Sequence, residues 1–153
     1  MAMQETVIVN PVSLLPTPMG CGMFLSDGDK IVLLYIDPSI GASMNDVLSG
    51  QTSERPQSHD FFHMIIESFG ARMTNACIVD EKDEVYYAMA SFQIENEVSE
   101  KKIVQVDCRP SDCISMAIRE KIPVRFVKHV WDRQQDMSGL LDELKQQLDD
   151  LDE

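Results

Sequence analysis

Two periods of apolar spacing run through this chain, one of about two residues and one of about 3.6, and they divide it into strands and helices. Residues 6–15, TVIVNPVSLL, read as a strand in which Pro11 marks an edge or a bulge. Residues 16–20, PTPMG, read as a break. Residues 22–26 and 30–36 read as two strands joined by Asp27-Gly28-Asp29, a strong hairpin signal. The near-continuous apolar run 31–36 predicts a strand covered on both faces. Ile40, Met44, Val47 and Leu48 fall at helical spacing and Gly50 supplies a stop. After a loop at 51–56, a longer helix is predicted over 58–69, with Phe61, Phe62, Ile65, Ile66 and Phe69 as its apolar stripe and Gly70 at its end. Residues 71–79 and 85–94 form a second hairpin across the polar run 80–84, and residues 95–102 a charged loop. Residues 103–106 are a strand that leads into a helix with Cys113, Ile114, Ala117 and Ile118 on one face. Pro123 ends that helix, and residues 124–127 make a last short strand.

The C-terminal stretch differs in kind. Met137, Leu141, Leu144, Leu148 and Leu151 alternate spacings of four and three on an acidic helix, a seam of two to three heptads. Such a seam docks on its own domain or binds a partner, a second copy included. The expectation is an α+β fold: a mostly antiparallel mixed sheet, two or three short helices packed on it, and an acidic C-terminal helix. It divides into a domain over 1–131 and a helical tail over 132–153.

Candidate chemistry gathers at one junction. The stretch 105–119, QVDCRPSDCISMAIR, leaves the strand and enters the helix through Asp107-Cys108-Arg109-Pro110. Proline suits a first helical turn, where its missing N–H costs nothing. Ser111 and Asp112 stand where the free N–H groups of that turn attract an oxygen or a negative charge. A second segment echoes this start: Arg55-Pro56-Gln57-Ser58-His59-Asp60 also opens a helix with Arg-Pro, a hydroxyl and an aspartate.

Charge narrows the partners. The 153 residues carry a formal net charge of −13. The last 22 residues supply −6 of it, so the body is acidic as well. A chain of this charge lacks the broad basic footprint of a nucleic-acid binder, and any such contact must rest on a few arginines, a metal ion or both. The four cysteines, Cys21, Cys77, Cys108 and Cys113, show no C-x-x-C pairing and no zinc-ligand spacing. With no basic region ahead of an apolar N-terminal stretch and no run near the ~20 residues of a membrane span, the expected setting is cytoplasmic, off the membrane and reducing.

The run Asp107-Cys108-Arg109-Pro110-Ser111-Asp112-Cys113-Ile114 resembles the D-A-R-P-S-D-A-I signature of the bifunctional nuclease domain family, formerly a domain of unknown function. The segment from Arg55 to Phe62 resembles that family's Arg-Pro-x-Ser/Thr-His-Asp-Leu-Leu/Phe. The order of hairpin, short helix, His-Asp helix, hairpin and Arg-Pro-Ser-Asp helix agrees over roughly residues 5–130. Two departures stand out. Both alanines of the signature are cysteine here. The family's Gly-x-x-Glu-Ala pattern at the first short helix is absent: a count back from Gly50 puts Asp37 at the glycine and Ile40 at the glutamate, leaving Asp37 as a substitute carboxylate.

The resemblance implies an enzyme that hydrolyses RNA and DNA. For that chemistry Asp107, Asp112 and Asp60 would hold Mg²⁺ or Mn²⁺. His59, of a residue type that titrates near neutrality, would act with these acids as the catalytic group. Arg55 and Arg109 would clamp phosphate, aided by Ser58 and Ser111 at the helix starts. Each residue has a plainer use. Carboxylates stabilise first turns, serines cap them, and the arginines can pair with Asp60 and Asp112 to lock two helix starts together. His63 lies on a polar helix face one turn after His59. Two other functions stay open beside the nuclease: a nucleotide- or small-molecule-binding regulatory domain, and an interaction protein or homo-oligomer built on the C-terminal helix.

Overall fold

A computed structural model describes residues 4–95, 97–98 and 100–153. Seven strands form one mixed sheet: β1 (Thr6–Thr17), β2 (Gly20–Ser26), β3 (Ile31–Ile36), β4 (Ala71–Lys82), β5 (Val85–Glu95), β6 (Lys101–Cys108) and β7 (Val124–Val127). Five helices accompany them: α1 (Pro38–Leu48), α2 (Ser58–Ser68), α3 (Pro110–Glu120), α4 (Lys128–Asp132) and α5 (Ser138–Leu151). The strand order is β3-β2-β1-β7-β4-β5-β6, and every pair is antiparallel except β4 with β7. This is the expected α+β fold. The charged loop between β5 and β6 falls partly outside the described residues, which omit Asn96 and Ser99.

The hairpin register follows local chemistry. Pro11 sits at a register shift in β1, because a residue with no N–H cannot serve a regular ladder. The expected break at 16–20 is tighter than its composition suggests: β1 continues to Thr17, which pairs with Gly20 across the turn. The turn between β4 and β5 is tighter still. Lys82 pairs with Val85, so the loop is only Asp83-Glu84, with φ of 51° and 67°. Both residues occupy the left-handed region that suits a two-residue hairpin but strains any side chain with a Cβ. Glu84→Gly is therefore expected to stabilise the fold by about 1 kcal/mol, raising Tm by roughly 2–4 °C in a thermal melt at this chain length.

The run 31–36 does not behave as a strand covered on both faces. β3 lies at the sheet's edge, where Val32, Leu34 and Ile36 are buried while Tyr35 is exposed. One face packs on the core and the other meets solvent. β7, short and last in the sequence pattern, lies at the centre of the sheet between β1 and β4. Its Phe126 meets Trp131 edge to face with ring centroids 5.0 Å apart, and the Trp131 indole N–H donates to Asp27 Oδ2 at 2.9 Å. This anchors α4 to the first hairpin.

Helix α3 is the buried helix, contributing Ser111, Cys113, Ile114, Ser115, Met116 and Ala117 to the interior against β4 and β5. Helix α1 packs between α3 and β2. It comes so close to β2 that a Cβ on Gly41 would stand 2.5 Å from Cys21 Sγ. Helix α2 forms an outer layer whose one buried residue is His59. Its predicted apolar stripe does not face the core: Phe61 is 54% exposed and Phe69 78%, with Ile66 alone of the stripe packed against the core. In the C-terminal seam, Met137 N–H bonds Ile31 O at 2.7 Å and Leu141 is buried, so the first half docks on its own domain while Leu151 is exposed.

Candidate active site

The two Arg-Pro helix starts meet. Pro110 is the first residue of α3, with Arg109 as its cap, and Asp112 lies in the first turn. There the free N–H groups of the helix favour a carboxylate. The Arg109 side chain folds over that turn: Nε donates to Asp112 Oδ2 at 2.7 Å and Nη2 to Oδ1 at 3.2 Å. From α2, His59 Nε2 lies 2.9 Å from the same Oδ1. Burial works to raise the Asp112 pKa, but the bonds from Arg109 and His59 outweigh it and hold the carboxyl below its ordinary value. Asp112 is therefore an anion near neutrality, and His59 Nε2 donates its proton to it. In the neutral form of the ring this leaves Nδ1 as the acceptor. Nδ1 makes no hydrogen bond among the described residues, and the His59 side chain is 7% exposed. The ring is steadied edge to face by Phe62 at 5.6 Å.

Arg109 is 68% exposed on its side chain, and two of its five N–H groups serve Asp112. Among the described residues the remainder bond no protein acceptor, which leaves them for an anion. Asp37, the cap of α1, adds its field to that guanidinium: each favours the charged form of the other. The substitute carboxylate thus lies at the site's margin, where it also caps α1 by accepting from Ser39 N–H at 2.8 Å.

Asp60 does other work. Its Oδ1 accepts from Arg119 Nε at 2.7 Å, and its Oδ2 from the Gln57 backbone N–H at 2.9 Å, the reciprocal half of a capping box. The Arg119 side chain is only 5% exposed. Its Nη1 donates to Ser115 Oγ at 2.6 Å and to Ser115 O at 3.0 Å, and its Nη2 to Ser43 Oγ at 3.0 Å. One guanidinium thus ties α1, α2 and α3 together. The two helix starts are joined by His59 and Asp112, Arg109 pairs with Asp112 within its own start, and Arg119, in the last turn of α3, takes the place beside Asp60 expected of Arg55.

The remaining candidates lie elsewhere. Arg55 is exposed and makes no ion pair among the described residues; only its carbonyl is engaged, by Ser53 Oγ at 2.7 Å. Asp107 is exposed on the edge strand β6, opposite Met89. Ser58 is exposed in the first turn of α2, whose cap is Gln57, and Ser111 is buried within α3, where its hydroxyl is withdrawn from any phosphate outside. Neither serine is a cap. As metal ligands Asp60, Asp107 and Asp112 do not fit: they do not converge, and both oxygens of Asp60 and of Asp112 are already taken by protein donors. The thiol of Cys108, beside Arg109, has its pKa lowered chiefly by the Cys113 side chain, while Cys113 itself is pushed far up by the same contact and by burial.

An imidazole oriented by a carboxylate, with an exposed arginine on the same carboxylate, joins the two helix starts of an α+β domain. The chain belongs to the bifunctional nuclease domain family, which it matches over residues 23–138. It is also similar to two uncharacterized proteins from two strains of Mycobacterium tuberculosis, each 26% identical over 99 residues, covering 65% of this chain and 56% of theirs. The chain thus matches little more than half the length of those relatives. Among the described residues no helix is long and apolar enough to cross a membrane.

Proposed function

We propose that this domain hydrolyses phosphodiester bonds of RNA or DNA, with His59 as general base, Asp112 as its positioning residue and Arg109 as the phosphate contact. The observation that carries this reading is the 2.9 Å bond from His59 Nε2 to an Asp112 carboxylate that Arg109 grips at 2.7 Å. In the forward step, Nδ1 takes a proton from the attacking water as its oxygen bonds phosphorus. The Asp112 anion stabilises the imidazolium so formed, and the free N–H groups of Arg109 meet the charge growing on the phosphoryl oxygens. The P–O bond to the leaving oxygen breaks, and the imidazolium or solvent returns the proton to that oxygen. Family membership supports nucleic acid as the substrate class. The −13 charge restricts contact to this local cluster. The test is cleavage of labelled single-stranded RNA and DNA by the wild type and by folded His59 and Asp112 variants.

A second reading, a non-catalytic interaction module, is favoured by α2. Phe61, Phe62, Met64, Ile65 and Phe69 are all exposed on or beside this one helix. At about 200 Å² per large side chain they leave roughly 500 Å² of apolar surface, near the upper end for a monomer and most of the ~800 Å² that one partner of a stable interface buries. The occupant that fits is a second copy of the chain, placing two α2 helices face to face. Light scattering on a sizing column is expected to show a dimer that Phe61→Glu converts to monomer. A wild type that stays monomeric at high concentration would remove this reading.

A further inference from the structure

One helical turn beyond His59, a second histidine is surrounded by carboxylates that the proposed hydrolysis does not use. His63 Nε2 lies 2.8 Å from Glu120 Oε2 and 3.5 Å from Glu67 Oε1, and the three ligand atoms all fall within 4.8 Å of one another. His63 and Glu67 stand four residues apart on α2, and Glu120 is the last residue of α3. Two packed helices therefore present three ligand atoms to one point. Among the described residues this is the group of His, Cys, Asp and Glu side chains that gathers so closely.

A proton does not complete this cluster. Nε2 carries one hydrogen at most, and its bond to Glu120 at 2.8 Å leaves Glu67 facing the same atom at 3.5 Å without one. Two carboxylates thus converge on one nitrogen. Glu95 adds a third carboxylate to the cleft that Glu67 and Glu120 line, and Arg72 lines it as well. A divalent cation could bind both carboxylates and the nitrogen at once, where a proton serves one pair. Bonds of about 2.0–2.2 Å in tetrahedral geometry hold neighbouring ligand atoms roughly 3.3–3.5 Å apart. The 3.5 Å separation matches that spacing, the 2.8 Å one would open by about 0.5 Å, and the third lies within 4.8 Å, adjustments of side-chain size. His63 and Glu120 are mostly buried, so the cation would be held against a packed wall.

We infer that His63, Glu67 and Glu120 form a divalent-cation site of the zinc type. An imidazole ligand with two carboxylates selects Zn²⁺ over Mg²⁺, which prefers oxygen and keeps its waters. Three protein ligands leave a fourth position, as in zinc sites that carry a water or a ligand. Glu67 and Glu120 also line a cleft of about 340 Å³ that contains Arg72 and Gln93. An anion bound to the cation there would meet Arg72 as a second positive partner. The site is separate from the His59–Asp112 pair and stands whether or not that pair performs hydrolysis.

The test uses the full chain, stripped with EDTA and dialysed into metal-free buffer. Titration calorimetry with ZnCl₂ is expected to give one equivalent, with Mg²⁺ at millimolar concentration failing to compete. CoCl₂ is expected to give the visible absorption of four-coordinate Co²⁺. His63→Ala should weaken Zn²⁺ binding by roughly 100-fold, the upper end of what even outer-sphere changes cost. Glu67→Gln, whose side chain is largely exposed, should weaken it at least ~10-fold while leaving the metal-free melting temperature unchanged. The second variant keeps the test sound if His63→Ala fails to fold. No stoichiometric Zn²⁺ binding by the wild type, or binding that Glu67→Gln leaves intact, would overturn the site. The latter result would place the metal elsewhere, on Cys108 and Cys113 or on the acidic tail.

Discussion

If the domain hydrolyses nucleic acid as proposed, replacing His59 with glutamine is expected to lower cleavage of single-stranded RNA and DNA by roughly 10²–10⁴-fold, the range a positioned general base supplies. Glutamine is the informative choice. His59 is buried, so alanine would open a cavity beside Phe62 and confuse stability with chemistry. The glutamine amide keeps an N–H for Asp112 but has no basic nitrogen to take a proton from water. Asp112→Asn should cost a comparable factor by a different route. The asparagine amide offers one acceptor oxygen where Arg109 and Nε2–H now share two, so the tautomer is less firmly fixed, and no anion stabilises the imidazolium. The two losses should not multiply in the double variant, because both act through one proton transfer. Full activity in folded His59→Gln protein would assign the cleavage to another site or a contaminant. Absence of cleavage by the wild type would leave α2 as the functional surface, with dimerisation as its readout.

Part of this was legible in the sequence. Hairpins, helix limits and the two Arg-Pro starts follow from local rules, since turn residues, caps and periodicity act within a few positions. The pairing of Arg109 with Asp112 is also local, three residues apart at a helix start. The Asp60–Arg119 pair spans 59 residues and the His63–Glu120 pair 57. Arg119 carries no motif, and its role appears only once α2 crosses α3. His63 was legible only as a residue on a polar helix face, and nothing local marks Glu67 and Glu120 as its partners. β7 shows the same limit: its apolar run predicts a strand, while its central place depends on a long crossover. The α2 stripe misleads for another reason. Periodicity reports which residues share a face and is silent on whether that face meets the chain's own core.

The largest structural effect is expected at Arg119. Arg119→Leu removes the guanidinium that joins Asp60, Ser43 and Ser115, leaving their oxygens to find other partners in a mostly dry interior. Breaking a buried pair from one side costs about 3–5 kcal/mol. Asp60 is about one-third exposed and regains some hydration, so the low end applies. A loss of about 3 kcal/mol lowers Tm by roughly 6–12 °C at this chain length. Lysine should recover only part, since an ammonium cannot reach three acceptors in one plane. Acid supplies the check that separates this network from a packing defect. Burial works to raise the Asp60 pKa, but Arg119 and the Gln57 N–H outweigh it and depress it in the folded protein. The stability this confers is complete above the unfolded value of about 3.9 and is lost as pH falls through the lower folded value. The Tm gap between wild type and Arg119→Leu should therefore be constant from pH 7 to about 5 and narrow below pH ~4, as Asp60 is neutralised in both proteins. A gap that stayed constant into acid would mean that leucine acts through shape alone. A gap that closes would assign the loss to the Asp60–Arg119 ion pair, which ties α2 to α3 beside the His59–Asp112 contact.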